Sequence, residues 1–198
     1  MMCARSVWRF AVVVVCGATV AVGGLLAGVS AQTAGTPERY NATAMNMGSG
    51  PGMAGRVLVA VDRWSTAQER QKLLTVFREK GPEKLLDALQ DNPKVGYIRL
   101  PNTLAWDLRY AVEARLPDGG RRVVLGTDRP IGIQEAREQP RRIDYPFTLI
   151  EIRFDKNGVG VGKMSVYTKI SLSKDKQTVE LENFDIEPVR LTEVRIEK

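Results

Sequence analysis

Four arginines, four carboxylates and a tyrosine crowd into residues 127–146 of this 198-residue chain. Arg129, Arg137, Arg141 and Arg142 carry planar, forked donors that match a carboxylate, a sulfate or a phosphate, and Tyr145 adds a hydroxyl beside them. These five residues are the candidate ligand-binding set. Any two of Asp128, Glu135, Glu138 and Asp144 would supply the acid and base that glycoside hydrolysis needs. The plainer reading is that these charges neutralise one another and pin a long loop across the end of a sheet. A connection of about twenty residues between regular elements is uncommon in a compact domain and is often functional.

Absent residue types narrow the chemistry further. The chain has no histidine, and both cysteines, Cys3 and Cys16, lie in its first 31 residues. Imidazole-based zinc and copper sites, serine–histidine triads and histidine bases are therefore excluded. If that opening segment is removed, disulfides, thiol nucleophiles and thiolate ligands go with it. No catalytic residue, metal site or cofactor is assigned.

The opening segment has the layout of an export signal. Arg5 and Arg9 precede an apolar run over residues 11–26, and small residues end at Val29-Ser30-Ala31. Cleavage after Ala31 is expected, giving a periplasmic or secreted protein. The alternative is an uncleaved N-terminal anchor facing the periplasm, since about 20 apolar residues span a bilayer. Val15 before Cys16 argues against acylation of that cysteine, because a small residue is required there. Cleavage takes two arginines and no acid, so 27 bases then face 23 acids and the net charge falls from +6 to +4. Bases interleaved with acids on an exported chain make nucleic acid an unexpected partner. Stable membrane insertion is not expected once the signal is cleaved, and oligomeric state is not readable.

Residues 32–54 are rich in Gly, Ala, Thr, Asn and Met and read as a disordered linker, leaving residues 55–198 as one domain. The methionines there show no repeat and no accompanying ligand, which argues against a soft copper site. From Gly55, Arg56–Val61 reads as a strand, and Thr66-x-x-Glu69 is a capping box for a helix carrying Leu73, Val76 and Phe77. Gly81-Pro82 opens a second helix with Leu85, Leu86 and Leu89, stopped by Asn92-Pro93. The period then falls to two. Residues 104–116 alternate through Trp106, Leu108, Tyr110 and Val112, turn at Pro117-Asp118-Gly119-Gly120, and return through Val123 and Leu125. A second hairpin turns at Asp155-Lys156-Asn157-Gly158, where Asn157-Gly158 supplies positive φ, and a slip in phase at Thr192-Glu193 indicates a β-bulge. The expected fold class is α+β: a largely antiparallel meander, open or curled toward a barrel or sandwich, with an N-terminal helical hairpin packed on one face.

Three apparent motifs fail on context. The calcium-like start at Asp155 leads to Lys163 and Ser165 rather than a bidentate glutamate. The alternating Gly158, Gly160 and Gly162 precede a strand, not a helix that would hold phosphate, and so mark close backbone packing. Ser171-x-x-Lys174 ends a strand and lacks the companion elements of penicillin-recognising enzymes.

The runs Gly96-Tyr97-Ile98-Arg99-Leu100-Pro101-Asn102, Thr127-Asp128-Arg129-Pro130-Ile131 and Ile143-Asp144-Tyr145-Pro146-Phe147, with Asp155-Lys156-Asn157-Gly158 after them, resemble a group of exported bacterial proteins of unknown function. The resemblance covers about residues 55–195 and implies an extracytoplasmic bacterial setting. It brings no activity, cofactor or catalytic residue. The leading functional expectation is a non-enzymatic exported domain that binds an anionic or polar small molecule or an envelope component near residues 127–146. The alternatives are a carboxylate-dependent glycoside hydrolase and a structural or protein-interaction module that uses a sheet edge.

Overall fold

The computed structural model describes residues 8–9, 36–45, 54–131, 146–172, 179–183 and 188–197. Its elements run β1 (Trp8–Arg9), β2 (Glu38–Met45), β3 (Ala54–Val61), α1 (Ala67–Lys80), α2 (Glu83–Gln90), β4 (Gly96–Arg99), β5 (Trp106–Arg115), β6 (Arg121–Thr127), β7 (Phe147–Phe154), β8 (Val159–Leu172), β9 (Val179–Asn183) and β10 (Val189–Ile196). Strands β2 to β8 pair antiparallel in chain order, and β10 closes the circle between β8 and β2. The result is a closed eight-stranded antiparallel barrel. β9 precedes β10 along the same edge of β8, and β1 pairs with β9 outside the closed ring.

The barrel corrects the expected α+β class. An open sheet with a helical layer on one face would leave two edges, whereas here the first and last strands of the ring pair through Thr192 and Thr43, and no edge is left in the ring. The helices are a connection inserted between β3 and β4, too short to form a layer of their own. The expected disordered linker is corrected as well: β2, within residues 32–54, pairs along its whole length with β3. Its inward side chains Tyr40, Ala42 and Ala44 are buried. Two of them are alanine, so the period-two signal was too faint to read as a strand.

Period-two alternation fills the barrel with one contiguous core of Tyr40, Val57, Val59, Ile98, Leu108, Leu125, Ile150, Ile152, Met164 and Leu191 among others. On β5 the alternation breaks where register shifts between Leu108 and Tyr110. Ala111, not Tyr110 or Val112, is therefore the fully buried residue after Leu108, and Tyr110 packs outward beneath the helices. Leu104, expected to begin this strand, precedes it and is 88% exposed. The slip in phase near the C-terminus is a true bulge: register shifts between Leu191 and Val194 against β8 and between Thr192 and Arg195 against β2, and Glu193 takes φ 52°.

Gly160 and Gly162 face inward where larger residues would not fit. A Cβ at Gly160 would lie 2.8 Å from the Phe154 ring, and one at Gly162 would lie 2.7 Å from the Glu151 carbonyl oxygen. At the β7–β8 turn Gly158 alone takes a positive φ, so Asn157 does not share it. Asp155 instead holds the turn by accepting from the Asn157 and Val159 amides.

α1 begins with the capping box expected from Thr66 and Glu69, and Glu69 also takes both prongs of Arg63 at 2.9 and 3.0 Å. Leu73, Phe77, Leu85 and Leu89 then pack on Phe147 and Tyr110 of the outer wall. Ser65 extends the short β4: its amide donates to the Ala111 carbonyl, and its hydroxyl accepts from the Ala111 amide.

Candidate functional site

One end of the barrel receives the 127–146 connection. Thr127 and Thr148 are opposite each other, inward and fully buried. Thr127 donates to the Arg129 carbonyl at 2.5 Å and accepts from the Thr148 amide, while Thr148 donates to the Val166 carbonyl and accepts from the Ile131 amide, both at 2.8 Å. These bonds bend residues 128–131 over the opening, and Ile131 enters the core as a stopper, 1% exposed. The threonines do what an apolar strand end could not: they satisfy backbone groups that the bend takes off the ladder.

Asp128 bonds to a strand arginine. Its carboxylate accepts from Arg109 Nε at 3.2 Å, and Arg109 Nη1 donates to the Asn92 carbonyl at 3.1 Å. The pair ties the start of the connection to β5 and to the end of α2. Arg129 is exposed, and its guanidinium forms no ion pair among the described residues. The remaining candidate residues, Arg137, Arg141, Arg142 and Tyr145, with the carboxylates Glu135, Glu138 and Asp144, lie outside the described residues. Sequence reasoning missed Arg109, Thr127 and Thr148, which position the part of the site that is seen. Their only signal is polar residues at inward or partner positions of strands, legible once the barrel register is known.

The opposite end is closed by ions rather than by threonines. Arg121 donates two-pronged to Glu38, Nη1 to Oε1 at 2.9 Å and Nη2 to Oε2 at 2.5 Å, and Nη1 also reaches Glu113 at 3.0 Å. The fully buried Tyr40 donates its hydroxyl to Glu38 at 2.5 Å, and the guanidinium lies 4.8 Å from the centre of the Phe154 ring. Burial pushes the Glu38 carboxyl up, but the bonds from Arg121 and Tyr40 outweigh it and hold the group below its ordinary 4.5. Burial, and then the bond to Glu38, drive the Tyr40 phenol far above its ordinary value.

Two carboxylates of this cluster, Glu38 and Glu113, meet at one guanidinium, and the electrostatics at Glu38 are opposite to those of a glycosidase acid. A general acid needs a raised carboxyl, whereas the Glu38 carboxyl, bonded to Arg121 and Tyr40, is held below its ordinary value. Among the described residues no group of histidine, cysteine and carboxylate side chains is arranged to hold a metal, and no helix is long and apolar enough to cross a membrane. A shallow concavity of about 450 Å³ runs along α1 past Gln68, Gln71, Lys72, Thr75 and Glu79. No protein-family model, curated protein or solved structure matches the chain.

Proposed function

We infer that this is an exported, non-enzymatic binding domain that takes an anionic ligand, a small molecule or an envelope component, at the barrel end that receives residues 127–146. The observation that carries the reading is the fate of Asp128. It is consumed by Arg109, so the adjacent Arg129 keeps an exposed guanidinium without the acid beside it in sequence. Were the connection only a self-neutralising strap, Asp128 would be the first acid available to Arg129. The filled interior supports a surface site: Ile131 and the Arg121 cluster stop the two ends, and the core between them is continuous.

A thermal shift of the exported protein against phosphate, sulfate, citrate and anionic sugars tests the reading. A ligand at a hundredfold its dissociation constant adds about 2.7 kcal/mol to stability, which is a shift of several degrees for a domain of this size. That shift should disappear in an Arg129→Gln, Arg141→Gln, Arg142→Gln variant. No shift with any anion, or an equal shift in the variant, overturns it. Export itself is tested by N-terminal sequencing of the protein from the extracytoplasmic fraction, where a chain beginning at Gln32 is expected.

A further inference from the structure

The helices clothe the barrel over β5, β7 and the far part of β8, and among the described residues no helix packs on the opposite half of the wall. Five exposed arginines stand on that half: Arg39 on β2, Arg56 on β3, Arg99 on β4, and Arg190 and Arg195 on β10. Register sets them close together. Arg195 pairs with Asn41, Asn41 with Leu58, and Leu58 with Arg99, so the ends of that row are about 14 Å apart at the usual strand spacing. Arg56 lies in the next row beside Thr43, Arg190 in the row beyond beside Met45, and Arg39 on the other flank opposite Ala60. Among the described residues none of the five forms an ion pair. Among the described residues the acids nearby are few. Glu193 projects from the bulge, Glu197 follows β10, and Glu151 on β7 is bonded to Arg153.

Aliphatic side chains are set among these cations. Val161 is 61% exposed, Val159 48% and Met45 37%, with Leu58 and Tyr97 half-buried between the arginines. We propose that this wall docks the protein on the anionic headgroups of a lipid bilayer, the guanidinium groups at the phosphates and the valines and Met45 at the acyl boundary. Unpaired cations and exposed aliphatics on one side of a rigid body are what a bilayer interface rewards. A single-stranded nucleic acid would call for stacking aromatics, and Tyr97, the one aromatic here, lies beneath Lys94. The chain's layout agrees. Six residues separate Ala31 from Glu38, so where the apolar run is retained as an anchor its bilayer lies within about 25 Å of β2. The wall shares no residue with the 127–146 end, so this proposal stands or falls apart from the anion site there.

Flotation of the full chain with phosphatidylcholine vesicles, with and without 30% phosphatidylglycerol, tests the proposal. An N-terminal run left uncleaved partitions into both vesicle types and a cleaved one into neither, so in each form the dependence on phosphatidylglycerol isolates the wall. That dependence should fall about fivefold for each arginine removed, and by about a hundredfold in an Arg56→Gln, Arg99→Gln, Arg195→Gln variant. It should also weaken with salt. A Val161→Ser variant should lose vesicle binding while keeping any binding to soluble polyphosphate. Equal flotation of wild type and triple variant on phosphatidylglycerol vesicles overturns the proposal. So does tighter binding to polyphosphate or single-stranded DNA than to vesicles. Circular dichroism melts should match, since exposed substitutions of this kind leave the core untouched.

Discussion

Arg121 and Glu38, 83 residues apart in sequence, meet through two parallel hydrogen bonds and tie β6 to β2 across one end of the barrel. The side chains are 14% and 22% exposed, so the pair is sheltered enough for its geometry to count. Arg121→Met should strand Glu38 and Glu113 without their shared donor and cost about 1.5–3 kcal/mol in urea unfolding. Arg121→Lys should recover only part of that loss, because an ammonium lacks the fork that fits both carboxylate oxygens. Full recovery by lysine would reduce the cluster to a generic surface charge.

Acid stability follows from the same pair. Glu38 and Glu69 are both held below their ordinary 4.5, in each case by arginine bonds that outweigh the opposing effect of burial. A carboxyl depressed in the folded state stabilises the fold above its unfolded value. That contribution is lost as pH falls through the lower, folded value. Stability should therefore drop as pH is lowered below about 4.5 and stay flat from pH 5 to 8, where the chain has no histidine to titrate. A Glu38→Gln, Glu69→Gln variant should be less stable at pH 7 and show a shallower acid slope. Parallel slopes in variant and wild type would assign the acid sensitivity to other groups.

The threonine pair at the other end calls for a different variant. Thr148→Val keeps the shape but leaves the Ile131 amide and the Val166 carbonyl without partners in a buried place. The expected cost is about 2 kcal/mol or more, since each orphaned buried group forfeits its desolvation energy. Hydrogen exchange gives the sharper readout. The Ile131 amide should lose protection before the barrel strands do, because Ile131 is held from a loop and the strands from a closed ladder.

Local chemistry was legible in the sequence, and long-range closure was not. The capping box at Thr66 and Glu69, the turn at Gly119, the inward glycines and the bulge at Glu193 each depend on a few neighbouring residues, and each forms where its residue types require. Closure depends on Thr192 meeting Thr43, a pairing across 149 residues that no periodicity encodes. β2 escaped notice for a related reason. Its inward positions hold Ala42 and Ala44, small enough to suit the interior yet too weakly apolar to mark a strand. The basic wall was invisible because its arginines are scattered singly over four strands, whereas the arginines of residues 127–146 stand together in sequence and drew the eye. Of that sequence cluster, the described residues include only Arg129, which is exposed beside an acid already in use.

Gly162 gives the most direct check on the barrel interior. On an open sheet with a wet face, alanine at this position would be tolerated or mildly stabilising, since it reduces the freedom of the unfolded chain. In the closed barrel its Cβ would come within 2.7 Å of the Glu151 carbonyl oxygen and 3.2 Å of Ile152 Cγ1. The first of these is backbone of the neighbouring strand, which cannot swing aside without breaking the Ile152–Gly162 register. Gly162→Ala should therefore lose about 1–3 kcal/mol by overpacking, with lowered hydrogen-exchange protection along β7 and β8. Val161→Thr, one residue away on the exposed outer face, should stay within about 0.5 kcal/mol of wild type. A neutral Gly162→Ala would mean that β7 and β8 are not pressed together as the closed ring requires.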